Sequence, residues 1–147
     1  MKRLILVASA VLVAAITAHA RLGETVDAIA NRYGAPTTAP YTVEYISRDY
    51  GDTQAWYTTD DLNVLVVFKN GISQYEMVTH KDTTTKLSPS IIRALMEANA
   101  GGSTWLQPKE TATATNWVRE DGKARAALTA DKMMLAVMIT AGGREKF

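Results

Sequence analysis

An α+β domain, two helices packed on antiparallel sheet, is what this chain predicts, and three observations predict it. Apolar residues near position 26 recur at helical spacing and then give way to runs of period two. Asn70-Gly71 stands between two β-rich runs, and Ser88-Pro89 opens a second helical pattern that again leads into alternating runs. Helices and strands segregated along a chain point to α+β and away from a parallel βαβ sheet.

The first helix rests on Val26, Ile29, Ala30 and Tyr33, which share one face at i, i+3, i+4 and i+7. Thr25 is placed to cap it, Asp27 suits the positive end of its dipole, and Gly34 followed by Pro36 supplies the stop. The period then changes. Tyr41, Val43 and Tyr45 alternate with Thr42, Glu44 and Ile46, and residues 54–58 and 62–69 continue as strands. Asn70-Gly71 predicts a two-residue type I′ hairpin, since both residues tolerate positive φ. Residues 41–79 therefore read as a meander of three or four strands.

A polar connection over 80–86 separates this meander from the second helix. Ser88 is its N-cap, Pro89 occupies the first position where a missing N–H costs nothing, and Leu87 staples onto Ile92. Ile91, Ile92, Leu95 and Met96 form the apolar face, and Gly101-Gly102 ends it. Beyond a loop over 107–113, strands are predicted at 116–120, 123–129 and 133–140, with a hairpin at Asp121-Gly122 and a turn at Thr129-Ala130-Asp131-Lys132. Residues 142–147 read as a frayed tail. The halves 21–86 and 87–141 thus share a plan. At an offset of 70, Thr59, Asp61, Leu65 and Val67 meet Thr129, Asp131, Leu135 and Val137, which either a tandem helix-plus-meander duplication or chance between amphipathic strands would give.

The first twenty residues read as a secretory leader. Lys2 and Arg3 form a positive start, residues 4–16 are an almost unbroken apolar run, and Ala18-His19-Ala20 offers a small-x-small cleavage site, leaving residues 21–147 as a single domain. An uncleaved anchor would need about 20 consecutive apolar residues, more than this run supplies. Loss of Lys2 and Arg3 takes the 16 basic residues to 14 against 15 acidic ones, a net charge of −1. Such a mixed, near-neutral chain carries no footprint for nucleic acid or an anionic membrane. With no cysteine there is no disulfide, thiolate metal site or lipid-bearing cysteine. The expectation is an exported protein, periplasmic or extracellular, without a stable membrane anchor.

Gly23-Glu24-Thr25, Ile29 and Tyr33-Gly34-Ala35-Pro36 together read G-x-T-x3-[VI]-x3-[LY]-G-x-P. This segment resembles the helix signature of the small SmpA/OmlA (BamE-like) envelope proteins. A helical segment leading into a small antiparallel sheet, given twice, is also similar to the tandem architecture of the β-lactamase inhibitor protein. The resemblance spans residues 23–36 and implies a protein that works by binding other proteins, with no catalytic site. BamE-like proteins are lipoproteins; the missing cysteine means that no lipid tether carries over.

Catalytic chemistry finds few footholds. Outside the leader the only histidine is His80, with no H-x3-H or H-E-x-x-H spacing for zinc, and no G-x-S-x-G elbow accompanies Ser88 or Ser90. No cofactor or metal is expected, and His80 reads as a solvated loop residue. Asp60-Asp61 and Glu120-Asp121 fall at turns, where aspartate bonds the turn backbone. Ala100-Gly101-Gly102-Ser103 lacks the lysine and the following helix of a phosphate loop. Trp56, Trp105 and Trp117 read as core. Tyr41, Tyr45, Tyr50, Tyr57 and Tyr75 are candidates for a protein interface on a sheet face, though alternation along strands fits a core role for them as well.

The function expected is non-enzymatic binding of another protein or an envelope component through a sheet face. The alternatives are a small secreted hydrolase using carboxylates such as Asp60, Asp61 or Glu120, and a carrier or sensor for a small apolar ligand.

Overall fold

The structure is a computed structural model that describes residues 21–40 and 49–140. The leader, the expected strand at 41–46 with Tyr41 and Tyr45, and the tail lie outside the described residues.

Helix α1 spans Val26–Tyr33 and begins and ends where its local chemistry dictates. The Thr25 hydroxyl accepts the Ala28 N–H at 3.2 Å. Gly34, at φ 88°, returns its own N–H to the Ala30 carbonyl at 2.8 Å. Positive φ is open to glycine because it has no Cβ to clash. Strands β1 (Thr53–Thr58), β2 (Leu62–Lys69) and β3 (Ile72–His80) follow as an antiparallel meander. Asn70 and Gly71, at φ 52° and 74°, make the two-residue turn between β2 and β3, and Lys69 pairs with Ile72 across it. The register shifts once, between Val67 and Phe68, where Tyr75 and Ser73 are the partners and Gln74 is the extra residue of a bulge.

Helix α2 spans Pro89–Ala98, with the Ser88 hydroxyl accepting the Ile91 N–H at 3.3 Å. It ends at Asn99, before the glycine pair, because side chains from the following segment take its last carbonyls. Trp105 Nε1 donates to Met96 O at 2.8 Å and Arg119 Nη1 donates to Asn99 O at 2.9 Å. Strands β4 (Lys109–Glu110), β5 (Ala114–Val118), β6 (Ala124–Thr129) and β7 (Met134–Ile139) complete the fold. Two details differ from the sequence pattern. The expected loop at 107–113 contains β4, and the strand expected at 116–120 starts at Ala114 and stops at Val118. The cause lies in the turn: Gly122 N–H closes on Arg119 O at 2.8 Å, Gly122 takes φ 69°, and the Asp121 carboxylate accepts the Lys123 N–H at 2.9 Å. The hairpin expected at Asp121-Gly122 therefore forms between β5 and β6, with that dipeptide in the middle of a five-residue connection and not alone in a two-residue turn.

The seven strands of the described residues form one antiparallel sheet in the order β1-β2-β3-β7-β6-β5-β4. Each half runs helix then meander, and the last strands of the two halves, β3 and β7, pair at the centre. By place in the sheet, β2 and β6 occupy corresponding positions. An offset of 70 instead lays β2 on β7, and Leu65 and Leu135 then fall in clusters on opposite faces, so those four identities lend no support to a duplication.

Among the described residues, α1 and α2 cover one face. Ile29 from α1 and Leu95 and Met96 from α2 pack with Tyr57, Val64, Val66, Phe68, Val78, Leu128, Leu135 and Val137, and Leu87 joins them with Ile92 against it. On the other face Trp56, Leu65, Val67, Tyr75, Met77, Ala136 and Met138 form a second buried cluster, flanked by Tyr50 and Met134. Burial on both sides explains why β2 reads as a continuous apolar run; a strand with one wet face would alternate. Each large side chain so buried contributes about 1.5–3 kcal/mol.

Candidate functional site

The tyrosines expected at an interface are divided by the fold. Tyr57 is fully buried beneath the helices and Tyr75 is buried in the second cluster, so neither presents a surface for a partner. Tyr50 is half-buried, its ring 4.8 Å from that of Tyr75 and its hydroxyl donating to Met138 Sδ at 3.2 Å. Trp56 is core, whereas Trp105 and Trp117 are half-buried and packed against the helix-side cluster. The sequence left interface and core open for the tyrosines because alternation marks a strand's two faces without saying which of them is wet.

The acidic and histidine candidates stay apart. Asp60, Asp61 and Glu120 are exposed on turns. Asp121 is held below the usual carboxylate range by the Arg119 side chain and the Lys123 N–H, and Asp131 by the Thr129 hydroxyl and the Met133 N–H. Hydrogen bonds of this kind favour the ionised form, the opposite of what a general acid needs. His80 Nδ1 accepts the Asp82 N–H at 3.3 Å, while Ser88 lies against Ser90 at 2.9 Å. Among the described residues no cluster of histidines and carboxylates is placed to hold a metal ion, and no helix is long and apolar enough to cross a membrane.

The unusual ionisable group is one that the sequence pattern did not flag. Glu76 lies on β3 in register with Val66 of β2 and Val137 of β7, on the helix-covered face, and is 1% exposed. The Tyr33 hydroxyl, from the last residue of α1, donates to its Oε1 at 3.2 Å; Asn99 Nδ2, at the end of α2, donates to its Oε2 at 3.4 Å. Asn99 is itself fixed on both sides, giving Nδ2 to Leu95 O at 3.1 Å and accepting the Leu22 N–H on Oδ1 at 2.9 Å. The nearest cation, Arg32, is committed to Glu24 through a two-pronged ion pair. Burial dominates, and it pushes the Glu76 carboxyl up from 4.5 to about 8 against the opposing hydrogen bonds of Asn99 and Tyr33. A sequence signal did exist: Glu76 alternates with Tyr75 and Met77 and shares its face with Val78, an acid inside an apolar strand. Asn99 also lines a groove of about 320 Å³, together with Arg21, Leu22, Glu97, Gly102 and Arg119 among others.

The second sheet face has an open part. Ala114, Asn116 and Val118 of β5 pair with Thr129, Ala127 and Arg125 of β6, and Ala127 and Arg125 pair in turn with Ala136 and Met138 of β7. These six β5 and β6 residues are half-buried, unlike the filled cluster beside them. Asn116, Arg125, Ala127 and Met138 border a shallow groove of about 150 Å³ there.

Compared with known proteins, the chain matches no family model, no curated protein and no solved structure. Its reading rests on the residues described above.

Proposed function

We propose that this is an exported, non-enzymatic binding domain that engages another protein or an envelope component through the β5–β6 part of its second sheet face. The observation that carries the reading is the contrast along that face: half-buried small and polar residues on β5 and β6 adjoin a filled aromatic and methionine cluster on β1, β2, β3 and β7. Small side chains let a partner approach the sheet closely, and a rigid flanking cluster holds the surface in one shape. The leader pattern of the first twenty residues and the resemblance of residues 23–36 to the BamE-like helix point the same way. Against a carboxylate hydrolase stand the exposed turn positions of Asp60, Asp61 and Glu120, and the sealing of Glu76, the one acid among the described residues with a strongly raised pKa.

Capture from an exported-protein fraction with purified residues 21–147 tests this reading. Ala127→Arg and Asn116→Trp should each abolish saturable capture while leaving the thermal midpoint unchanged, and Glu110→Ala on β4 should have no effect. Equal capture by all three variants would remove the sheet face from the proposal; no saturable partner for the parent protein would remove binding itself. N-terminal sequencing of the exported protein should begin at Arg21, and an intact Met1 on membrane-bound protein would overturn the export reading.

A further inference from the structure

The groove at the end of α2 is walled by three segments far apart in the sequence, and Asn99 ties them together. Leu22 N–H on Asn99 Oδ1 at 2.9 Å holds the segment before α1, whose Arg21 carbonyl also accepts the Ser73 hydroxyl at 2.8 Å. Arg119 Nη1 on Asn99 O at 2.9 Å holds the β5–β6 connection. Asn99 is 2% exposed and gives its Nδ2 to Leu95 O and to Glu76, so all three walls are braced against one buried residue. Walls held in this way lower the ordering cost of binding. At about 320 Å³ the groove falls at the lower end of the range that holds a small molecule.

Its lining offers donors and acceptors that the fold leaves unused. Arg119 has Nη1 on Asn99 O and Nε on Asp121 at 2.9 Å, which leaves Nη2. The guanidinium occupies the space that a side chain at Gly101 would need: at φ 60° a Cβ there would stand 2.9 Å from Nη1. Arg21 is exposed and forms no ion pair among the described residues. The N–H groups of Gly101 and Gly102, which also line the groove, have no hydrogen-bond partner among those residues. Against these donors stand the Glu97 carboxylate and Ala98 O. From Leu95 to Asn99, Ala98 O is the one carbonyl that receives no hydrogen bond among the described residues, since Asn99, Trp105, Ala100 and Arg119 take the others.

We propose that this groove binds a small α-amino or α-hydroxy carboxylate. Its carboxylate meets Arg119, Arg21 and the glycine N–H groups, and its ammonium or hydroxyl donates to Glu97 and Ala98 O. Guanidinium and backbone N–H groups suit carboxylate and phosphate alike, so they fix the charge of the ligand and not its class. Glu97 makes the selection. A phosphate dianion would bring its second charge against that carboxylate, whereas a donor on the carbon next to the ligand's carboxylate turns Glu97 into a partner. The groove shares none of the residues of the β5–β6 patch, so this site does not rest on the binding proposed there.

Titration of the isotope-labelled protein with glycine, L-alanine and L-lactate, followed by amide NMR, tests the site. Each should give saturable shifts at Leu22, Gly101, Gly102 and Arg119, and inorganic phosphate should give none. Arg21→Ala should weaken binding about tenfold or more, the worth of one charge-assisted hydrogen bond. Arg119→Lys should weaken it as well, because lysine keeps the charge and loses the fork. Glu97→Gln should admit phosphate, and Lys109→Ala on β4 should change nothing. Arg21 is exposed, so its variant keeps the parent's thermal midpoint and decides the matter even if Arg119→Lys fails to fold. No saturable shift with any of the three carboxylates, or unchanged affinity in Arg21→Ala, would overturn the proposal. Phosphate binding to the parent as tightly as the carboxylates would overturn the ligand class.

Discussion

Replacing Glu76 by glutamine should make this protein more stable in mildly alkaline solution. The native carboxyl titrates near 8 and the unfolded one near 4.5, so the native state holds a proton that the unfolded chain has lost. Stability is fully present below about 4.5, declines as pH rises towards 8, and levels above it. At about 1.4 kcal/mol per unit, the interval from 4.5 to about 8 corresponds to a loss of about 5 kcal/mol, an upper bound that any water entry reduces. Against a typical domain stability of about 5–15 kcal/mol this is a large share. Glutamine removes the titration while remaining satisfiable, since its amide oxygen can accept from Asn99 Nδ2 and its amide nitrogen can donate to the Tyr33 oxygen. Urea unfolding of both proteins between pH 4.5 and 8.5 reads the effect. The parent should lose stability across this window by several kcal/mol more than the variant, with the variant the more stable at pH 8. Parallel curves would refute the argument, because they would mean that Glu76 titrates alike in the folded and unfolded chain.

Two further outcomes follow from backbone geometry. A Cβ at Gly51 would stand 2.2 Å from the Phe68 carbonyl oxygen and 2.8 Å from Val67 Cγ1, so Gly51→Ala must push the entry to β1 away from β2 and should cost more than about 3 kcal/mol; a urea-derived unfolding free energy within about 1 kcal/mol of the parent would show that the segment shifts freely. Ser88→Ala should cost about 1 kcal/mol by freeing the Ile91 N–H, whereas Ser88→Asp should restore the cap and the parent midpoint, and an equal loss in both variants would place the effect elsewhere.

Much of the fold was legible because its signals act over a few residues. Thr25 and Gly34 bound α1, Ser88 and Pro89 open α2, and Asn70-Gly71 turns the hairpin, each through a hydrogen bond or a φ value set within one or two turns of chain. The connection at Asp121-Gly122, a hairpin as expected but with a longer loop, shows where such rules thin out. The same dipeptide serves a two-residue hairpin or the middle of a longer turn, and the choice depends on the Arg119 N–H pairing with Ala124 O. The candidate site was harder to read for a related reason. Tyr57, Tyr75 and Glu76 sit in strands buried on both sides, and nothing in their immediate sequence tells an inward aromatic from an interface aromatic, or a sealed acid from a solvated one.

By itself, then, the sequence determined the α+β class, the caps and turns that delimit its elements, and the absence of cysteine chemistry. Only the tertiary structure decided which strands meet, that both helices share one face, and that Glu76 lies between Tyr33 and Asn99, residues 43 and 23 positions away from it. The physical reason is range. Caps and turns are fixed by neighbours along the chain, whereas the burial that shifts a carboxyl depends on apolar groups brought together from distant strands and helices.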